Sequence, residues 1–122
     1  MARVLVIDDD RNLRDVVSYM LEEAGHQVAV TGSAEEGLAL FDKRPFDLVL
    51  TDVRMPGKDG LEVLAAVRPR GAAVVILTAH GTVRQAVEAM QRGASAYLLK
   101  PFEREELVVT IAKALAEEQE RA

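Results

Sequence analysis

Five short runs rich in aliphatic residues punctuate the chain, at residues 4–7, 28–30, 48–50, 74–77 and 96–99. They show little polar alternation, which is the pattern of strands buried on both faces of a parallel sheet. Helical periodicity fills the stretches between them. Leu13, Val16, Val17, Met20, Leu21 and Ala24 keep i, i+3, i+4 spacing, and Gly25 stands where such a helix would end. Ser33-x-x-Glu36, Asp59-x-x-Glu62 and Thr82-x-x-Gln85 have the form of capping boxes, so three more helix starts are marked. The last helix is expected soon after Pro101, with Glu103, Glu105 and Glu106 in its acidic first turns and Leu107, Ile111 and Leu115 as its apolar stripe. Crossovers between parallel strands are right-handed, so strand and helix alternating five times predict an α/β three-layer sandwich with helices on both faces of the sheet.

The 122 residues suffice for one core and leave no room for a second domain. Apolar residues make up 49% and charged residues 29%, so the chain is expected to fold as an ordinary globular unit. There is no cysteine, which excludes a disulfide framework, a thiolate metal site and a cysteine nucleophile. Charges at Arg3 and Asp8 interrupt any leader pattern, and no apolar run approaches the roughly 20 residues that span a bilayer; a cytoplasmic protein without membrane contact is expected. A net charge of -5 argues against binding a nucleic-acid backbone, so any DNA contact is left to another domain. The polar residues 116–122 are expected to extend the last helix toward an output domain.

In such sheets the ligand site lies outside the carboxyl ends of the strands. Strand one ends in Asp8-Asp9-Asp10, strand three in Thr51-Asp52, strand four in Thr78-Ala79-His80 and strand five in Lys100-Pro101. Strand two ends in Thr31-Gly32 and offers nothing obvious to the cluster. Carboxylates gathered from two strands stay ionised together only around a cation, and oxygen donors without His or Cys favour Mg²⁺ or Mn²⁺ over zinc. Asp9 is expected to bind the metal directly, Asp8 directly or through water, and Asp10 to cap the first helix. A metal beside a carboxylate, a lysine and a hydroxyl is the equipment of phosphoryl transfer. Asp52 is then the nucleophile, Lys100 balances phosphoryl charge, and Thr78 donates to a phosphoryl oxygen. Taken singly, each residue has a simpler reading as a helix cap, a strand threonine or a surface lysine. Together they would require four coincidences at one sheet edge.

VIDDD, TDVRMPGKDG, ILTAH and AYLLKPF, in this order and spacing, resemble the receiver domains of bacterial two-component response regulators. The resemblance covers essentially the whole chain, residues 1–122, and implies a flavodoxin-like fold with strand order 2-1-3-4-5 and five helices. It implies that Asp52 accepts a phosphoryl group from a phosphohistidine on a sensor histidine kinase. Mg²⁺ would be held by Asp8, Asp9, Asp52 and the backbone carbonyl of Arg54. Thr78 and Tyr97 would form the switch pair, Lys100 would contact the phosphate, and Lys100-Pro101 would be a cis peptide. Met55-Pro56-Gly57 would form the turn after the acceptor, and Gly60 would help start the third helix. Arg54 and His80 occupy positions that vary in the family and would tune phosphoryl lifetime. TAHGTVRQAVEAMQRGASAYLLKPF is most like the nitrogen-regulatory class, whose full-length members carry an ATPase domain and a helix-turn-helix domain and activate transcription through an alternative sigma factor.

Phosphorylation would draw Thr78 toward the new oxygens, and Tyr97 would turn inward to fill the space behind it, reshaping the face of helix four, strand five and helix five, with a half-buried strand-end tyrosine as the simpler reading of position 97. A phosphorylation-dependent homodimer could use that face; Val53, Leu98 and the helix-four surface are its candidates, with core packing the simpler reading. On this reading the domain is no enzyme beyond its own phosphorylation and dephosphorylation. A Mg²⁺-dependent phosphohydrolase would place an acid two residues after the nucleophile, where Arg54 stands. A flavin binder would need a glycine-rich loop after strand one, and a pseudo-receiver would lack part of the acidic site. A stand-alone receiver acting by protein contacts is the closest alternative.

Overall fold

The structure is a computed structural model that describes residues 2–53, 59–79 and 83–121. Its elements run β1 (Arg3–Ile7), α1 (Arg11–Glu23), β2 (Gln27–Thr31), α2 (Ala34–Lys43), β3 (Leu48–Thr51), α3 (Gly60–Val67), β4 (Ala73–Thr78), α4 (Val83–Gln91), β5 (Ala96–Leu99) and α5 (Arg104–Arg121), with a short 3-10 turn at Arg68–Arg70. All strand pairs are parallel, in the order β2-β1-β3-β4-β5.

The continuous aliphatic runs of β1, β3 and β4 are explained by burial on two sides, whereas the edge strands β2 and β5 are only partly covered and leave Val30 and Leu99 exposed, against the expectation for all five runs. Leu5, Ile7, Val49, Val74 and Ile76 face a core closed by Phe41 of α2, Val63, Leu64 and Val67 of α3, and Ala89 of α4. Their neighbours Val4, Val6, Leu48, Leu50, Val75 and Leu77 face the other way, onto Val17 and Leu21 of α1 and Leu107, Ile111 and Ala114 of α5. Parallel strands covered on both faces have no room for a polar side chain until they leave the sheet.

Helix ends carry the expected chemistry. Asp10 Oδ1 accepts from the amides of Asn12 (3.0 Å) and Leu13 (3.3 Å), capping α1. Gly25 closes it with φ 97°, while its amide and that of His26 bond back to the Glu22 and Leu21 carbonyls, a geometry glycine adopts without steric cost. Asp59 and Glu62 form a reciprocal capping box. In the Ser33 version, Ser33 caps the Glu36 amide, but Glu36 accepts the Ser33 hydroxyl instead of returning to its backbone N–H. Thr82 of the third box lies outside the described residues. The α1 stripe is broader than the surface that covers it: Val17 and Leu21 are fully buried, whereas Val16 is 47% exposed and Ala24 is exposed. Val53 and Leu98 are core residues, so neither offers a dimer surface.

Arg68 ties together the amino ends of β4 and β5. It donates to the carbonyls of Ala72 and Gly93 and pairs with Glu118 of α5 at 3.0 Å. Among the described residues, no helix is long and apolar enough to cross a membrane.

Candidate functional site

The sheet ladder continues for one residue past the strands and sets the site. Asp8 N donates to Thr31 O (3.1 Å), Asp52 N to Ile7 O (3.0 Å) and Lys100 N to Thr78 O (3.0 Å). Asp8, Asp52 and Lys100 are thereby the first residues beyond β1, β3 and β5 at one edge, beside Thr78 at the end of β4.

One carboxylate oxygen from each of Asp8, Asp9 and Asp52 lies within 4.8 Å of the others. Asp8 and Asp52 are buried, Asp9 is exposed, and Thr78 is fully buried. Lys100 Nζ bridges the two buried carboxylates, 2.9 Å from Asp8 Oδ2 and 2.9 Å from Asp52 Oδ2. Burial raises the Asp8 pKa above the ordinary 3.8, and the nearby Asp52 charge adds to it, against the opposing pull of the Asp10 amide and Lys100. Burial alone would lower the Lys100 pKa. Its bonds to the two aspartates outweigh that and hold it above 10.5, so the ammonium stays charged at neutral pH. Two of the three carboxylates thus share Lys100, and the three together are a donor set of hard oxygens that suits Mg²⁺.

Asp8 is held at four points. Besides Thr31 and Lys100, its Oδ1 accepts the Asp10 amide at 2.8 Å and its carbonyl accepts Arg14 Nη1 at 2.8 Å. Arg14 is absent from the sequence-based site, and so is the part played by β2: Thr31 anchors Asp8, and Gly32 lies directly under the Arg14 guanidinium. On the acceptor side, a Cβ on Gly60 would stand 2.4 Å from the Asp52 carbonyl oxygen and 2.9 Å from Val53 Cα. Only glycine lets α3 start this close to the acceptor's backbone, a tighter demand than helix initiation alone.

Tyr97 is half-buried. Its ring packs against the inner core and its hydroxyl oxygen is buried, so the inward position is the one seen here. Strand β5 pairs Tyr97 with Ile76, a core residue, which accounts for this. The Lys100-Pro101 bond is cis. Arg54, His80 and the Met55-Pro56-Gly57 turn lie outside the described residues.

Known proteins share the sequence pattern and fold that carry this edge. Residues 4–112 match the model of the response regulator receiver domain. The chain is 43% identical over 114 residues to the response regulator protein FleR of Pseudomonas aeruginosa, covering 92% of this chain and 24% of that protein. It superimposes on NtrX from Brucella abortus with a TM-score of 0.91 at 31% identity, covering 98% of this chain and 28% of the other. A receiver domain from Clostridium thermocellum matches over the full length of both chains, with a TM-score of 0.92 and 33% identity. NtrX accords with the nitrogen-regulatory resemblance. The chain spans about a quarter of the length of FleR and NtrX. Sequence and fold agree over this shared span: the chain belongs to the response regulator receiver domain family.

Proposed function

We propose that the domain is a phosphorylation-activated switch, accepting a phosphoryl group on Asp52 from a phosphohistidine of a sensor histidine kinase in the cytoplasm. The observation that carries this reading is the grouping of Asp8, Asp9 and Asp52 with Lys100 bonded to both buried carboxylates. Asp8, Asp9 and Asp52, with the Arg54 carbonyl, would hold Mg²⁺, which when bound supplies positive charge to the phosphoryl oxygens. An Asp52 carboxylate oxygen attacks phosphorus in line while the bond to the imidazole nitrogen breaks, the nitrogen keeping the bonding pair. Lys100 exchanges its bond to Asp52 for one to a phosphoryl oxygen, and the Thr78 hydroxyl donates to another. Arg54 and His80 are proposed to set how long the acyl phosphate survives.

Tyr97 reports the change by trading between the inward pose and an exposed one. Driving such an equilibrium from 1:99 to 99:1 takes about 5.5 kcal/mol, within reach of several charge-assisted bonds. The readout surface is supported by an apolar stripe on α4, Val83, Val87 and Met90, next to Leu99 on the edge strand; all four are exposed, as a phosphorylation-dependent homodimer requires. The groove lined by Leu13, Val16, Met20, Pro101 and Phe102 adjoins Lys100 and supports docking of the kinase there. The greater length of FleR and NtrX supports an output domain following α5, with transcription control through an alternative sigma factor as its role.

Intact mass after incubation with acetyl phosphate tests the chemistry. A labile gain of one phosphoryl group that needs both Mg²⁺ and Asp52, and is lost in Asp52→Asn, is expected. An adduct indifferent to either would reopen the hydrolase and pseudo-receiver readings.

A further inference from the structure

Asp8 is the last residue of β1's run to use the sheet ladder: its amide is bonded to β2, but its carbonyl already points out of the sheet. Arg14, one turn into α1, supplies the partner through Nη1 at 2.8 Å, while its own amide bonds to Asp10 O at 3.0 Å. One residue therefore grips both ends of the Asp8-Asp9-Asp10 turn, by side chain at Asp8 and by backbone at Asp10. Its guanidinium lies where a side chain on residue 32 would be. A Cβ on Gly32 would stand 2.7 Å from Arg14 Nη1 and 3.7 Å from Cζ, with no other heavy atom of the described residues among its near neighbours. The left-handed glycines among the described residues are Gly25, Gly71 and Gly93, so the backbone at Gly32 makes no demand for glycine of its own. The missing side chain there serves the guanidinium.

We propose that Arg14 is a positioning residue for the divalent cation: from the slot that Gly32 leaves open, it fixes the turn presenting the Asp8 and Asp9 carboxylates and so sets Mg²⁺ affinity. The inference rests on the reading that these aspartates and Asp52 hold Mg²⁺. Groups that orient metal ligands without touching the metal commonly govern affinity by about 10-fold or more. The arrangement also makes Gly32 and Arg14 a single unit. Adding a methyl at Gly32 pushes aside the mobile end of a side chain, not backbone, so the fold tolerates it while the grip on Asp8 is lost.

The test is a double-mutant cycle on the Mg²⁺ dissociation constant, read by NMR titration of the unphosphorylated protein for wild type, Arg14→Ala, Gly32→Ala and the double variant. Arg14→Ala and Gly32→Ala are each expected to weaken binding about 10-fold. The double variant is expected to be no weaker than Arg14→Ala, because without the guanidinium the new methyl meets nothing. Gly32→Ala keeps every charge, so its loss would also separate positioning from simple electrostatics. If Arg14→Ala fails to fold, Gly32→Ala alone decides. Unchanged affinity in the variants that fold, or losses that add in the double variant as two unrelated packing defects would, overturns the inference while the Mg²⁺ reading stands. A wild-type protein with no measurable Mg²⁺ binding overturns both.

Discussion

The two ends of the sheet treat charge in opposite ways. At the amino ends of the strands, charged side chains are met one by one: the Arg3 amide donates to Asp47 Oδ2 at 2.8 Å, the Arg3 guanidinium lies 4.5 Å from the Phe46 centroid, and Arg70, over the Phe41 ring, pairs with Asp42. Arg68 there meets two carbonyls and a carboxylate. At the carboxyl ends, Asp8, Asp9 and Asp52 are set against Lys100. This second edge sets three carboxylates, two of them buried, beside Lys100, a grouping whose desolvation costs stability and which offers oxygen ligands to a cation. What the difference teaches is that one fold uses charge for pairing at one pole and for chemistry at the other.

Three changes probe that division. Gly60→Ala should have the largest effect, because the new Cβ would meet main-chain atoms of Asp52 and Val53 that cannot swing away. A loss of about 3 kcal/mol in urea unfolding is expected. Wild-type stability would mean that α3 can retreat from the acceptor and that the carboxyl edge is less rigid than drawn. Next comes Arg68→Met, which removes the donors from two carbonyls and from Glu118 and should cost about 2 kcal/mol in the same measurement. No loss would erase the contrast at the amino edge.

Asp8→Asn should have a smaller effect of the opposite sign. Folding raises the Asp8 pKa, so the folded protein holds this proton more tightly than the unfolded chain does. That stability is complete below the ordinary value of 3.8 and is lost as pH climbs through the raised one. Without divalent metal, Asp8→Asn should therefore melt above wild type at pH 7, with the gap closing toward pH 4 and below. A variant that melts lower at pH 7 would show that the Lys100 bridge more than offsets the burial of this charge.

Much of this was legible beforehand, and the exceptions have physical causes. Aliphatic runs with polar residues only at their ends announce strands covered on both faces, so Asp8, Asp52, Thr78 and Lys100 could be assigned to one edge without coordinates. Periodicity says which way a helix turns its apolar side but not how wide the covering surface is, hence the exposed Val16. The part of Arg14 depends on a side chain reaching back along α1 to Asp8 in the turn after β1, through space that Gly32 leaves open after β2, a contact that no spacing in the chain encodes. Tyr97 could not be placed by spacing alone, because its pose depends on which face of an edge strand the neighbouring helices cover.

The bond from Arg68 to Glu118 has a mechanical side. Helix α5 begins at Arg104, just after Lys100-Pro101, and Glu118 lies 14 residues farther on, about 21 Å at the usual helical rise. A rod pinned at that distance swings about the pin more easily than it slides. A tilt of about 3° would carry the near end by about 1 Å, and turn the residues past Glu118 the other way. Small displacements beside the acceptor would thus leave the far end of α5 as rotation.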